Sequence, residues 1–235
     1  MAALRFYFHT ETALQGAPAT PTGSLTLSEV APDQTDAAAA SIAGGHTSTS
    51  SGAAAAQLNK PTTKDNTTVV GEAPTTNPPA AAHQFGWFTD LKYRGTFATG
   101  NWTIVFREDD NRALIVGHGV VNLYANKTRD FASPIRFIAQ WHGASTDWWT
   151  GGASAIAAQS ESINSFNLAD EYLIVQLWCH ETSGFSAAKT LTFHQEGSDL
   201  VDTTRSNILT PVFSPTPFAP AIVLPNQAVK RAAYY

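Results

Sequence analysis

Charge is scarce in this sequence: Asp, Glu, Lys and Arg make up 14% of its 235 residues, where an ordinary soluble domain carries about 25%. A chain so lightly charged has few means of keeping its whole surface solvated as a free monomer. The Lys and Arg side chains number fourteen and are scattered, and the formal net charge is −5. Phosphate binding needs clustered basic residues, so direct contact with nucleic acid is not expected.

Cysteine is nearly absent. Cys179 is alone, which excludes an intrachain disulfide, and it follows the apolar positions Leu173, Val175 and Leu177, where a thiol acts as a small hydrophobe. Long apolar runs are missing too: nothing reaches the roughly 20 residues that cross a bilayer. Residues Met1 to His9 hold no basic region leading into an apolar stretch. Neither a membrane anchor nor a cleaved signal is therefore expected.

Motifs that carry chemistry are likewise missing. The seven histidines (His9, His46, His83, His118, His142, His180, His194) fall in no HExxH, HxH or Cys/His ligand spacing. His142, His180 and His194 share parity at the ends of predicted strands; solvated or core imidazoles are the favoured reading over a metal site. In Cys179-His180-Glu181, strand neighbours point to opposite faces and cannot make the hydrogen bond that activates a thiol. Glu108, Asp109, Asp110 and Asn111 lack the spaced ligands of a calcium loop and read as a solvated turn. No GxSxG, Walker A or GxGxxG occurs, and Gly117-His118-Gly119 lies within a predicted strand. The expectation is a non-enzymatic chain with no cofactor and no metal. Three sequons (Asn66, Asn101, Asn126) carry little weight without a secretory signal.

What is plentiful is aromatic bulk, with six Trp, thirteen Phe and six Tyr, and it is unevenly spread. Residues 1–9 contain a strand by period-2 alternation (Leu4, Phe6, Phe8). Residues 10–84 form an Ala/Thr/Ser/Pro-rich stretch with too little apolar bulk to offset the entropy of ordering, and Ser24 to Val30 is its one predicted strand. This segment is expected to be extended and held by partner surfaces.

Residues 85–213 carry nearly all the large apolar side chains and read as the core domain. Its predicted strands include Trp87 to Phe97, a hairpin turn at Gly100-Asn101 leading into Trp102, Ile104 and Phe106, then Ala113 to Tyr124. Ile135, Phe137, Ala139 and Trp141 form one apolar face of the next, followed by Ile156 to Phe166, Tyr172 to His180, Thr190 to His194 and Leu209 to Phe213. About eight strands with turn signals between them and no helical period predict an all-β fold, an antiparallel β-sandwich of jelly-roll or Ig-like kind.

Residues 214–235 are interrupted by Pro215, Pro217, Pro220 and Pro225 and cannot enter a central sheet. They read as a C-terminal arm on a neighbour, anchored by Phe218, Ile222, Val223 and Leu224. Trp141, Trp148 and Trp149 are candidate interface anchors; the same side chains could instead form a platform for stacking a sugar ring.

The run Leu4 to His9, the Thr/Pro/Ala-rich stretch, and Gly100-Asn101-Trp102-Thr103 followed by Phe106 and the Glu108 to Ala113 loop together resemble structural proteins of tailed-bacteriophage virions. The resemblance implies a β-sandwich virion component and carries no functional residues; it is compatible with capsid decoration, neck, tail or fibre, and the extended segments expected at both ends favour capsid decoration or a minor capsid role, as suits a protein laced across a lattice. The implied partners are copies of itself and other virion proteins, the major capsid protein among them. The alternative expectation is a carbohydrate-binding adhesin or tail-fibre protein meeting a host glycan through the exposed tryptophans.

Overall fold

A computed structural model describes residues 1–9, 11, 14, 18, 24–33, 47–48, 78, 84, 86–110, 116–142, 155–183, 189–193 and 197–217. Within them every regular element is a strand: β1 (Ala2–Phe8), β2 (Leu25–Ser28), β3 (Thr47–Ser48), β4 (Trp87–Thr89), β5 (Tyr93–Phe97), β6 (Gly100–Asp110), β7 (Val116–Asn126), β8 (Arg136–His142), β9 (Ala155–Ile163), β10 (Phe166–Ser183), β11 (Lys189–Phe193) and β12 (Asn207–Pro215). The all-β expectation holds.

The sandwich does not follow in the same way. Hydrogen-bonded neighbours run β12–β1–β2–β4–β10, and β5 joins β10 back to β12. That ring of six closes the sheet into a barrel rather than clearly dividing it into two facing layers. Closure removes the edges that an open sheet would leave among these strands.

Nor is the pairing wholly antiparallel. β2 runs parallel to β4, with Leu25 opposite Trp87 and Leu27 opposite Thr89. Parallel neighbours cannot be joined by a tight turn and need a long crossover, and the Ala/Thr/Pro-rich stretch between them supplies that connection. β1 lies between β2 and β12, so the strands near the chain's start belong to the same sheet as those after Trp87.

Gly100-Asn101 does not turn the chain back as a hairpin. β5 and β6 both pair with the run formed by β9 and β10 in a single register, Phe97 opposite Phe166 and Gly100 opposite Ile163. The chain therefore continues in one direction past a short interruption. Glu108, Asp109 and Asp110 likewise belong to β6, opposite Phe193, Thr192 and Leu191, and not to a loop.

The barrel is filled by aromatic rings that meet in pairs, the two rings of each pair coming from different strands. Phe8 meets Trp87 edge-on at 5.3 Å, Phe6 meets Tyr93 at 5.5 Å, and Phe97 meets Phe213 at 4.6 Å. Alternation along β10 sends Leu173, Val175 and Leu177 into this core, while Ile174 joins Phe88, Tyr124, Phe131 and Ile135 in a second, smaller cluster. Each fully buried ring or aliphatic chain contributes about 1.5–3 kcal/mol relative to exposure.

Two backbone devices bend the wall. Gly95 has φ +149°, and a Cβ there would overlap the Ser214 carbonyl, so only glycine lets β12 approach β5. Asp170, at φ 61°, is the extra residue in the bulge between Ala169 and Glu171, a conformation that Asp tolerates.

A third irregularity corrects the single apolar face predicted for β8. Tyr124 pairs with Phe137 but Leu123 pairs with Ala139, leaving Ile138 as an extra residue. Phe137 accordingly packs with the second cluster, whereas Ile138 and Ala139 pack against the main core. A bulge resets period-2 alternation, and pattern reading alone cannot place it.

Candidate functional site

Ser28, Thr26, Thr89 and Asp90 meet where β2 runs beside β4, and all four are buried. The Ser28 hydroxyl donates to Asp90 Oδ2 at 2.6 Å and accepts from the Val30 amide at 3.0 Å. Asp90 Oδ1 is buried without a hydrogen-bond partner. Arg129 enters from the turn after β7 and donates to the Thr89 carbonyl at 3.1 Å, the Thr26 hydroxyl at 2.8 Å, the Phe88 carbonyl at 3.3 Å and the Pro18 carbonyl. Burial lowers the proton affinity of this guanidinium, and the opposing charge of Asp90 partly restores it.

Chemically this is a clamp and not a nucleophile with its base. Ser28 bonds a carboxylate directly and is fully buried. The nearby imidazole, His9, sets its Nε2 3.0 Å from the Val30 carbonyl. His9 Nδ1 stands 3.8 Å from Glu11 Oε2, beyond hydrogen-bond reach. A relay from hydroxyl through imidazole to carboxylate is thus not formed by these groups. Arg129 instead ties β2, β4 and the chain at Pro18 into one unit.

Buried phenols surround the same region. Tyr93 donates to Glu29 Oε1 at 2.6 Å; burial, then that carboxylate bond, raises its pKa far above the ordinary tyrosine value. Burial pushes Tyr124 up to about 12. Asn126, one of the sequon residues, is buried and donates its amide to the Asp130 and Ala132 carbonyls, both at 2.9 Å. That geometry leaves no room for a glycan.

Among the described residues, two surface clefts can be described. One, about 430 Å³, is lined by Lys92, Tyr93, Arg94, Phe213, Pro215, Thr216 and Pro217. The other, about 290 Å³, lies between β8 and β9 and has Ile138, Ala139, Gln140, Glu161, Ile163 and Phe166 in its walls. Neither lining contains a histidine beside a carboxylate. Among the described residues no group of three or more His, Cys, Asp or Glu side chains could hold a metal ion.

The residues singled out in the sequence fare unequally. Trp141 lies on β8 opposite Val121, while Trp148, Trp149, Phe218, Ile222, Val223 and Leu224 lie outside the described residues. His180 pairs with His118 rather than with the other members of the predicted trio, His142 is opposite Val120, and His194 lies outside the described residues. Sequence reasoning missed the Arg129 clamp and the β8/β9 cleft. An isolated Arg in a polar turn gives no sign that it will be buried, and the cleft depends on which strands fail to pair.

No protein-family model matches the chain, and no curated protein does. Among solved structures it is similar to an aminopeptidase from the marine sediment archaeon Thaumarchaeota archaeon, at 8% identity and a TM-score of 0.48. The match covers 89% of this chain and 36% of that one. At that level the likeness carries no argument about activity.

Proposed function

We propose that this chain is a non-enzymatic structural protein of a virion, a capsid-decoration or minor capsid protein that stabilises the particle through subunit–subunit contacts. Its partners are copies of itself and other virion proteins, including the major capsid protein.

One observation carries the reading: β8 and β9 are each paired on one side only among the described residues. Unpaired edges are sites of association, and proteins that stay monomeric blunt them with Lys, Pro or short length. Here the edges hold no Lys and no Pro, and their charged residues are Arg136 on β8 and Glu161 on β9. In a chain only 14% charged, such edges favour a protein that works in an assembly.

Sedimentation velocity over a wide concentration range, with and without purified particles of the source virus, tests the reading. Self-association or co-sedimentation with particles is expected. A chain that stays monomeric and ignores the particles overturns it, and glycan-array binding lost in Trp148→Ala and Trp149→Ala variants would replace it with an adhesin.

A further inference from the structure

The Arg205 guanidinium is largely buried and its donors are unanswered. The side chain is 12% exposed, yet among the described residues it makes no hydrogen bond. Its Nε is buried and stands 3.7 Å from Asp202 Oδ1, too far for one, and the group sits over the Tyr7 ring at 5.6 Å. Holding a cation out of water with its N–H groups unmet is costly, and an acceptor supplied from outside relieves that cost.

The surroundings are built and not a loose surface pair. Asp202 and Arg205 belong to one turn, in which the Thr204 and Arg205 amides donate to the Val201 carbonyl at 2.8 and 3.0 Å. Fully buried Asn207 donates its side-chain amide to the Asp202 and Arg205 carbonyls at 2.7 and 2.8 Å, and its Oδ1 accepts from Arg5 Nη1 at 2.7 Å. Arg5 Nε then stands 3.3 Å from Asp202 Oδ2, while the Tyr7 hydroxyl donates to Oδ1 at 3.1 Å. One buried amide thus fixes the turn and both arginines around a single carboxylate.

Charge and shape define a ligand for these donors. The ionised groups acting on the Tyr7 hydroxyl are Asp202, Arg5 and Arg205, so two cations face one anion and the cluster is left with a single positive charge. A monovalent anion balances it, whereas a dianion such as sulfate would overcompensate and meet the repulsion of Asp202. A guanidinium presents parallel N–H donors that a carboxylate accepts two at a time. We infer that Arg205, with Arg5 beside it, binds a carboxylate group. The carboxylate comes from a free acid or from an Asp or Glu side chain of a second copy, and neither source requires the virion reading above.

Acetate titrated into the native full-length chain at constant ionic strength tests the site, read on the assigned arginine Nε–H signals of a proton–nitrogen correlation spectrum at mildly acidic pH. A saturable shift of the Arg205 signal is expected with acetate and none with chloride. Arg205→Lys keeps the charge and loses the fork; the response of the Arg5 signal to acetate should then need about tenfold more ligand. No saturable shift with acetate in the native chain overturns the inference, as does tighter binding of sulfate.

Sedimentation velocity separates the two sources. Where a second copy supplies the group, Arg205→Lys and saturating acetate each weaken self-association about tenfold relative to chloride. Where association is unchanged while acetate still shifts Arg205, the site takes a free carboxylate. The titration needs no variant, so it remains decisive even where Arg205→Lys fails to fold.

Discussion

Two pairs of neighbouring edges in this molecule met different fates. β2 and β4 are zipped in parallel, roofed by Phe8 and Trp87 and clamped by Arg129. β8 and β9 lie side by side with a cleft between them. Both pairs bring apolar side chains to the core, so burial alone does not decide whether edges seal. The sealed pair has its spare carbonyls answered by a buried cation; along the other pair, residues 136–140 of β8 are half-buried and 158–162 of β9 are half-buried or exposed, where water can serve the backbone.

The contrast is broken most severely from the sealed side. Trp87→Ala, at a fully buried ring, is expected to cost about 3–5 kcal/mol in urea-unfolding midpoints and to leave little folded chain. Arg129→Ala removes three hydrogen bonds to buried Thr26, Phe88 and Thr89 and one to exposed Pro18 and is expected to cost about 3 kcal/mol. A loss below ~1 kcal/mol would show that water replaces the guanidinium and that the clamp is incidental.

Alkali probes the same wall more gently. Unfolded tyrosine releases its proton near pH 10, while buried Tyr93 and Tyr124 keep theirs, Tyr124 until about 12. Above pH 10 only the unfolded state loses these protons, so stability is full below that point and falls as pH rises. The expected slope is about 1.4 kcal/mol per pH unit for each phenol. Tyr93→Phe should flatten a stability-against-pH curve measured between pH 9 and 11, and an unchanged curve would mean Tyr93 is not the group responsible.

On the open side effects should be small. Ile138→Ala, at a partly buried residue of the β8/β9 cleft, is expected to cost about 1 kcal/mol. Arg136→Ala, which breaks the 2.8 Å pair with Glu171 at a side chain 42% exposed, should cost at most ~1 kcal/mol. A variant in the β8/β9 cleft as damaging as Trp87→Ala would erase the distinction between the two pairs of strands.

Much of the core was legible from alternation: Leu173, Val175 and Leu177 point inward, as do Trp102 and Ile104. Phe137 and Ala139 show where that reading fails, because a bulge at Ile138 changes the phase and no residue type announces it. The tryptophan loop and the arm anchors were chosen for their chemistry, and apart from Trp141 they lie outside the described residues; within the described residues the buried polar cluster is built by Arg129, Asp90, Ser28 and Thr26, which are inconspicuous in sequence.

By itself the sequence determined that this is a β protein rich in aromatic side chains, with few charges and a long stretch poor in apolar bulk. Strand periodicity and residue size are local properties, written position by position. Only the tertiary structure decided that β2 pairs in parallel with β4, that the sheet closes into a ring, that an arginine is buried and that β8 and β9 do not pair with each other. Partner choice between distant strands is set by the geometry of closure, which no single stretch of chain encodes.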